Sequence, residues 1–351
     1  MKAPFLWPRC ADDWEPPAHW LKIRTIDAHT GGEPLRIILD GFPELPGKTI
    51  LDRRRYLLEN LDHLRTTIMW EPRGHADMYG CLTTPPVTEG SDFGVLFMHN
   101  EGYSSMCGHG IIAVTKVAVE LGLVSKSVPV TQVRIDTPSG LVTSFAHLED
   151  ESVTSVSFRN VASFAQALNE TIELPELGAV SYNLAFGGAF YAFVDAAQVG
   201  LECVPEHYAA LIDTGMRIKR AIMQSRPVIH PFEPDLSFLY GTIFTGPPAD
   251  KSSHSRHVCI FAEGEVDRSP TGTGVSARLA LLAARNEIAL DETVVIESII
   301  GSKFTGRIVE ETTFGEQSAV IPEVGGSAYI TGRHEFLIDP NDPRRDGFIL
   351  R

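Results

Sequence analysis

Residues 100–110, NEGYSSMCGHG, lead straight into an apolar stretch, GIIAVTKVAVELGLV (110–124). Residues 267–274, DRSPTGTG, lead into a second, VSARLALLAARNEI (275–288). Each is a glycine-rich turn followed by apolar side chains at helical spacing. Superposing YSSMCGHGIIAV on DRSPTGTGVSAR sets Ser105 on Ser269, Cys107 on Thr271, Gly108 on Gly272 and Gly110 on Gly274. Upstream, TGGEPLRIIL (30–39) parallels FGGAFYAFVD (186–195). Gly32 to Cys107 is 75 residues (107 − 32), and Gly188 to Thr271 is 83 (271 − 188). Matching order and spacing point to an internal duplication, with a period too long for a solenoid.

The surrounding pattern agrees. LKIRTID and EPLRIILDG read as strands around the turn His29–Gly32. Residues 53–69 have helical spacing, with Tyr56, Leu57, Leu61, Leu64 and Ile68 on one side, and Arg53, Arg54 and Arg55 read as a solvated face. GVLFMHN (94–100) reads as a buried strand, and residues 133–148 as a hairpin turning at Pro138–Gly140. The second half repeats the order: strand, Gly-Gly, strand over 182–195, a helix over 207–223, two strands, a helix over 275–288, then strands from Val294. The fold class expected is α/β (α+β): two pseudo-symmetric domains, each a curved, mostly antiparallel sheet or barrel around a central helix, with the active site in the cleft between them. The expected division is an N-terminal arm over 1–20, a first half over 21–178 to which the segment 334–351 could return, and a second half over 179–333.

The whole chain has 351 residues, which fits about two domains. It carries 30 basic and 45 acidic side chains, a formal net charge of −15, so nucleic acid and anionic membranes are poor partners. No apolar run reaches the ~18 residues of a membrane span, and MKAPFLWPRC lacks the apolar run of a signal peptide. The five cysteines (Cys10, Cys81, Cys107, Cys203 and Cys259) are dispersed and form no CxxC, which argues against a disulfide scaffold or structural zinc. A cytoplasmic protein acting on a small molecule is expected; a homodimer is compatible with the sequence, which does not fix the oligomeric state.

Cys107 sits at a helix start, where exposed N–H groups and the helix dipole favour thiolate. Cysteines so placed can fall from about 8.5 to between ~3.5 and 7.5. The other cysteines lack such a setting, and Cys259, in the strand VCIF, reads as core. Two glycine-rich helix starts aimed at one cleft would hold a carboxylate between them. Asp267 then either pairs with a substrate ammonium or is an ordinary turn aspartate. GTG without GK[ST] is no Walker loop. His254 and His257 have only i, i+3 spacing and no carboxylate pair, so no metal is expected there. His29 and Glu33 read as structural.

SMCGHG and DRSPTGTG, with HTGGEP (29–34), PRGHADMYG (72–80) and GGAFYAFV (187–194), resemble the proline racemase family, of the diaminopimelate-epimerase-like fold. The resemblance covers roughly residues 22–351. It implies cofactor-independent chemistry with two cysteines, one on each face of Cα. Here the first is Cys107, and the second position holds Thr271, whose hydroxyl is far too weak an acid to exchange protons as a thiol would. The Cys/Thr pair is similar to the trans-3-hydroxy-L-proline dehydratase branch. That likeness implies a hydro-lyase: Cys107 takes the Cα proton, the 3-hydroxyl leaves, and the enamine tautomerises to Δ1-pyrroline-2-carboxylate. It further implies carboxylate binding by the backbone of Gly108, His109, Gly272 and Thr273, with Asp267 on the ring ammonium. Thr271 either hydrogen-bonds the leaving hydroxyl or positions water. His75 and Asp77, in a matching motif, either face the cleft as substrate contacts or are structural. The alternatives are a proline racemase or 4-hydroxyproline epimerase, a non-catalytic amino-acid-binding protein, and a thiol hydrolase using Cys107 and His109. The two-residue spacing of that last pair at a helix start works against a thiol–imidazole contact.

Overall fold

The computed structural model describes residues 14–350, so most of the expected arm, with Cys10, lies outside the described residues. Strands β1 (Leu21–Thr30) and β2 (Glu33–Asp40) form an antiparallel hairpin. Gly31 and Gly32 turn it with φ of 60° and 93°, a region glycine enters without steric cost. Helices α1 (Ile50–Asn60) and α2 (Asp62–Met69) follow. One helix was expected over 53–69, but the backbone breaks at Leu61 (φ −132°, ψ 14°). Leu57, Leu64 and Ile68 are buried, whereas Tyr56 is exposed. Of the three arginines expected on a solvated face, only Arg55 is exposed. Arg53 is buried, bonding Thr84 Oγ1 at 3.0 Å and the Pro85 carbonyl, and Arg54 reaches the Tyr103 carbonyl at 2.8 Å. Their long stems carry the guanidinium groups to backbone acceptors on neighbouring elements.

The first half continues with β3 (Tyr79–Thr84), β4 (Phe93–His99), α3 (Gly108–Glu120), β5 (Val130–Thr137), β6 (Gly140–Glu149), β7 (Ser152–Arg159) and β8 (Ser163–Leu174). The second runs β9 (Gly178–Phe186), β10 (Phe190–Asp195), α4 (Tyr208–Ser225), β11 (Leu239–Gly246), β12 (Ser255–Phe261), β13 (Glu265–Val266), α5 (Gly272–Ala284), β14 (Thr293–Glu297), β15 (Lys303–Phe314), β16 (Gln317–Gly326) and β17 (Ala328–Ile338).

The pairing pattern repeats with the order. β2 and β3 are parallel across α1 and α2, and β10 and β11 are parallel across α4. β4 and β5 are parallel across α3, and β12 and β14 are parallel across α5. A parallel pair needs a long crossover, and helices supply all four. The other joints are antiparallel. In the second half the ring closes as β8-β9-β10-β11-β12-β14-β15-β16 and back to β8. In the first half the sheet runs from β17 through β1–β7 to the end of β16. Each half thus takes its outermost strand from the other's stretch of chain: β17 pairs with β1 from Leu21↔Ile338 to Thr30↔Ala328, and β8 pairs with β9.

The two sheets wrap α3 and α5. Every residue of α3 is buried except Lys116 and Glu120, which are half-buried. α5 is buried from Gly272 to Leu282 apart from Arg278. Helices apolar on all sides belong inside, and each fully buried aliphatic side chain here contributes ~1.5–3 kcal/mol. Ile111 and Ile112 of α3 and Leu279 and Leu281 of α5 belong to one continuous core, so the halves are not independently packed bodies.

Candidate active site

The two central helices begin at the same place. A Cβ built on Gly108 would lie 2.5 Å from Gly272 Cα, and one on Gly272 would lie 2.7 Å from Gly108 Cα. Only glycine lets the two N-termini come this close. The residues capping the helices, Cys107 and Thr271, are 4% and 5% exposed and line one cavity. Gly108, His109, Gly272, Thr273 and Asp267 line it too, with Met106, Tyr79, Tyr191, Tyr240, Cys259 and Phe261. Its volume is about 10 Å³, room for about one water, so the site is closed over itself. A larger hollow of about 710 Å³ lies elsewhere, walled by residues such as His147, Lys303 and Tyr329, and contains no thiol and neither helix start.

The two caps differ. Cys107 has extended backbone (φ −144°, ψ 112°), and its Sγ accepts the Gly110 N–H at 3.2 Å. Thr271 has φ 64° and ψ 94°, rare for a β-branched residue. Its N–H donates to Ser269 Oγ at 3.1 Å, while its buried Oγ1 has no hydrogen-bond partner among the described residues. Asp267 Oδ1 accepts the Ser269 N–H at 2.7 Å, so it serves the turn and still borders the cavity.

Two expectations about Cys107 are corrected. Its sulfur stands 3.2 Å from His109 Nδ1, a contact the two-residue spacing argued against. The extended backbone places Cys107 outside the helix and folds its side chain back over the first turn, within reach of position i+2. Nor is the thiol lowered. Burial pushes it well up, the Gly110 N–H and Tyr79 hydroxyl oppose this, and the nearby Asp267 and Glu33 carboxylates add to it. At this depth loss of solvation outweighs the helix start. Burial also lowers His109, which is therefore a neutral imidazole.

The HTGGEP segment packs against both helix starts. Thr30 Oγ1 donates to the His109 carbonyl at 2.9 Å. Glu33, fully buried, accepts from Arg268 N at 2.8 Å and from Arg268 Nη1 at 3.3 Å. Burial and the Asp267 charge raise Glu33 well above the carboxylate range. Asp77 does not border the cavity: its Oδ2 lies 3.5 Å from Arg268 Nη2 and 3.3 Å from Tyr208 Oη. Through Arg268 and Tyr208 it ties the first half to the second. His75 is exposed, with its ring on the adjacent carbonyl, and does not line the cavity.

The sequence reading missed three cavity tyrosines and the place of Cys259. Tyr79 Oη bonds Ser104 Oγ and lies 3.2 Å from Tyr240 Oη, which is 3.0 Å from Ser104 Oγ. Tyr191 Oη bonds Thr273 Oγ1 at 2.7 Å. Tyr79 and Tyr240 are pseudo-symmetric mates on β3 and β11, and the signal was a third repeat, MYG (78–80) against LYG (239–241). Cys259 belongs to the core as expected, but it also borders the cavity that Thr271 lines.

A pseudo-symmetric α/β fold with a thiol at one of two meeting helix starts is an arrangement suited to moving a proton. The family comparison makes this specific: residues 25–349 match the proline racemase model, and the chain belongs to the proline racemase family. It is 48% identical to a trans-3-hydroxy-L-proline dehydratase of Colwellia psychrerythraea, over 97% of each chain. It is 46% identical to a 3-hydroxyproline 2-epimerase of Burkholderia multivorans, over 94% of this chain and 98% of that one. Among solved structures, a hydroxyproline epimerase from Agrobacterium vitis with bound trans-4-hydroxy-L-proline superposes with a TM-score of 0.91 at 33% identity, covering 95% of this chain and 96% of that one.

Proposed function

We propose that this protein is a hydro-lyase that converts trans-3-hydroxy-L-proline into Δ1-pyrroline-2-carboxylate. The observation that carries the reading is the pair of helix caps: a thiol, Cys107, on one, and a threonine, Thr271, on the other. One base suffices for elimination, because no proton returns to the opposite face, whereas racemisation needs an acid on each face. Relatives named as trans-3-hydroxy-L-proline dehydratases, at 45–48% identity, support the choice of substrate.

In this reading the carboxylate lies between the helix starts, against the backbone N–H groups of Gly108, His109, Gly272 and Thr273. Charge builds on that carboxylate as the carbanion forms, and losing one such preorganised donor typically costs ~10²–10³ in rate. The ring ammonium sits beside Asp267. Its charge offsets one of the two carboxylates that hold the Cys107 thiol up, so substrate binding itself favours thiolate. Cys107 then takes the Cα proton. The closed cavity must open to admit the ring and shut around it, which excludes water from the carbanion.

A second reading is epimerisation at C2. It draws on the epimerase relative at 46% identity and on Cys259, which borders the cavity that Thr271 lines. One experiment separates the two: incubation with trans-3-hydroxy-L-proline in D₂O, trapping imine with o-aminobenzaldehyde. The dehydratase reading expects imine. Inverted, α-deuterated hydroxyproline without imine would establish the epimerase, and ligand binding without turnover a binding protein.

Residence in the cytoplasm is part of the proposal, supported by four free cysteines among the described residues. No helix of the described residues is long and apolar enough to cross a membrane. A homodimer is likewise proposed; β17 leaves Tyr329 and Ile330 exposed for such a contact, and sedimentation tests it.

A further inference from the structure

The stereochemistry of the substrate constrains which groups can act. In trans-3-hydroxy-L-proline the 3-hydroxyl is trans to the carboxylate, so it shares a ring face with the Cα hydrogen. The base and the proton donor to the departing oxygen must then work from one face. With Cys107 as base, as in the reading above on which this inference rests, the donor stands beside Cys107. Thr271 belongs to the opposing helix start.

Tyr79 is the hydroxyl in that position. It is 2% exposed on the cavity wall that Cys107 also lines, and its ring meets His109 edge-on at 4.8 Å, the same imidazole whose Nδ1 stands 3.2 Å from the Cys107 sulfur. With Ser104 and Tyr240 it forms a triangle of three hydroxyls. Each has a single proton to donate. The Tyr79 proton can therefore turn to an acceptor in the cavity while Ser104 and Tyr240 remain bonded to each other at 3.0 Å. His109 also touches the sulfur, but a neutral imidazole is a poorer proton donor than a phenol.

We infer that Tyr79 protonates the departing 3-hydroxyl and is reprotonated by the Cys107 thiol. The Cα–H bond breaks and its proton passes to the Cys107 sulfur. The electron pair left behind forms the C2–C3 double bond as the C3–O bond breaks, its pair staying on oxygen. Tyr79 gives that oxygen its proton, and water leaves. The Cys107 thiol returns the proton it took to the Tyr79 phenolate. Thiolate and phenol are both restored, and no outside proton is consumed.

The test compares wild type with Tyr79→Phe on trans-3-hydroxy-L-proline and on its trans-3-fluoro analogue, whose fluoride leaves without a proton. Tyr79→Phe should lose about 10²–10⁴ in kcat with the hydroxyl substrate, the usual worth of a positioned acid. It should release fluoride near the wild-type rate and bind pyrrole-2-carboxylate normally. Equal loss with both leaving groups, or undiminished dehydration, overturns the inference. Wild type that forms no imine removes the dehydratase reading and this inference with it, whereas active wild type with a fully active variant removes this inference alone. A fluorinated tyrosine at position 79 keeps the packing and lowers the phenol pKa. The alkaline limb of kcat should move down with it, and an unmoved limb also overturns the assignment.

Discussion

Gly108 and Gly272 meet backbone to backbone, so a methyl group on either would fall 2.5–2.7 Å from the other's Cα. The obstacle is main chain, which cannot rotate aside. Gly108→Ala and Gly272→Ala should each push the helix starts apart and destabilise the fold by ~1–3 kcal/mol, the usual cost of overpacking. Activity should fall further than stability accounts for, because the same displacement spoils the carboxylate site. Thermal melts beside steady-state rates check this; a variant with wild-type activity would refute the site geometry.

Thr271→Cys restores a thiol on the second helix cap. It also removes β-branching at a φ of 64°, so the fold should tolerate it. The expected outcome is measurable inversion at Cα in D₂O, read by chiral chromatography and mass spectrometry. If none appears, cavity shape matters as much as the second acid.

Glu33 carries a sign for pH. Burial raises its folded pKa above the unfolded value of about 4.3, so the stability tied to its neutral form is complete below that pH and is lost as pH rises through the folded value. Glu33→Gln keeps an acceptor for the Arg268 N–H without the charge. The melting temperature of the variant should therefore gain on wild type between pH 5 and 8. A difference that stays flat, or moves toward wild type, contradicts the assignment.

Cys107 should resist alkylation at neutral pH. Burial holds the thiol up and the cavity admits about one water, so iodoacetate reacts only when the cleft opens and the thiolate forms. Labelling should accelerate as pH rises and be blocked by pyrrole-2-carboxylate. Peptide mass spectrometry locates the label; activity lost through another cysteine at the same rate would contradict this.

Removing the Arg268 side chain leaves Glu33 buried beside Asp267 without its cation. Arg268→Met should cost about 3 kcal/mol, in the range seen when one partner of a buried pair is deleted. The double variant Glu33→Gln/Arg268→Met should recover only part of it, since Asp77 still loses the Arg268 cation. Denaturant melts of the three variants complete the cycle.

The duplication was legible because both copies keep glycines at matching turns: Gly108 and Gly272, whose backbones meet, and Gly31-Gly32 and Gly187-Gly188 between paired strands. Helices α3 and α5 announced themselves as apolar runs after those turns. What stayed hidden depends on partners remote in sequence. That β17 pairs with β1 follows from no local pattern, and Arg53 looks like any surface arginine until Thr84 and Pro85 are beside it. The direction of the Cys107 shift was misread because a helix start is visible in sequence, but the depth at which it is buried is not.

The exchange of outer strands bears on how the chain can be made. β1 leaves the ribosome well before its partner β17, with Leu21 waiting for Ile338. Until β17 is made, one edge of β1 can rely only on chance partners, a hazard for any uncovered strand. A nascent chain stalled after the first half would keep that open edge and lack the final strand of its sheet. The exchange thus makes synthesis of β17 a condition for completing the first sheet, and no fragment that stops short of it should acquire a working thiol.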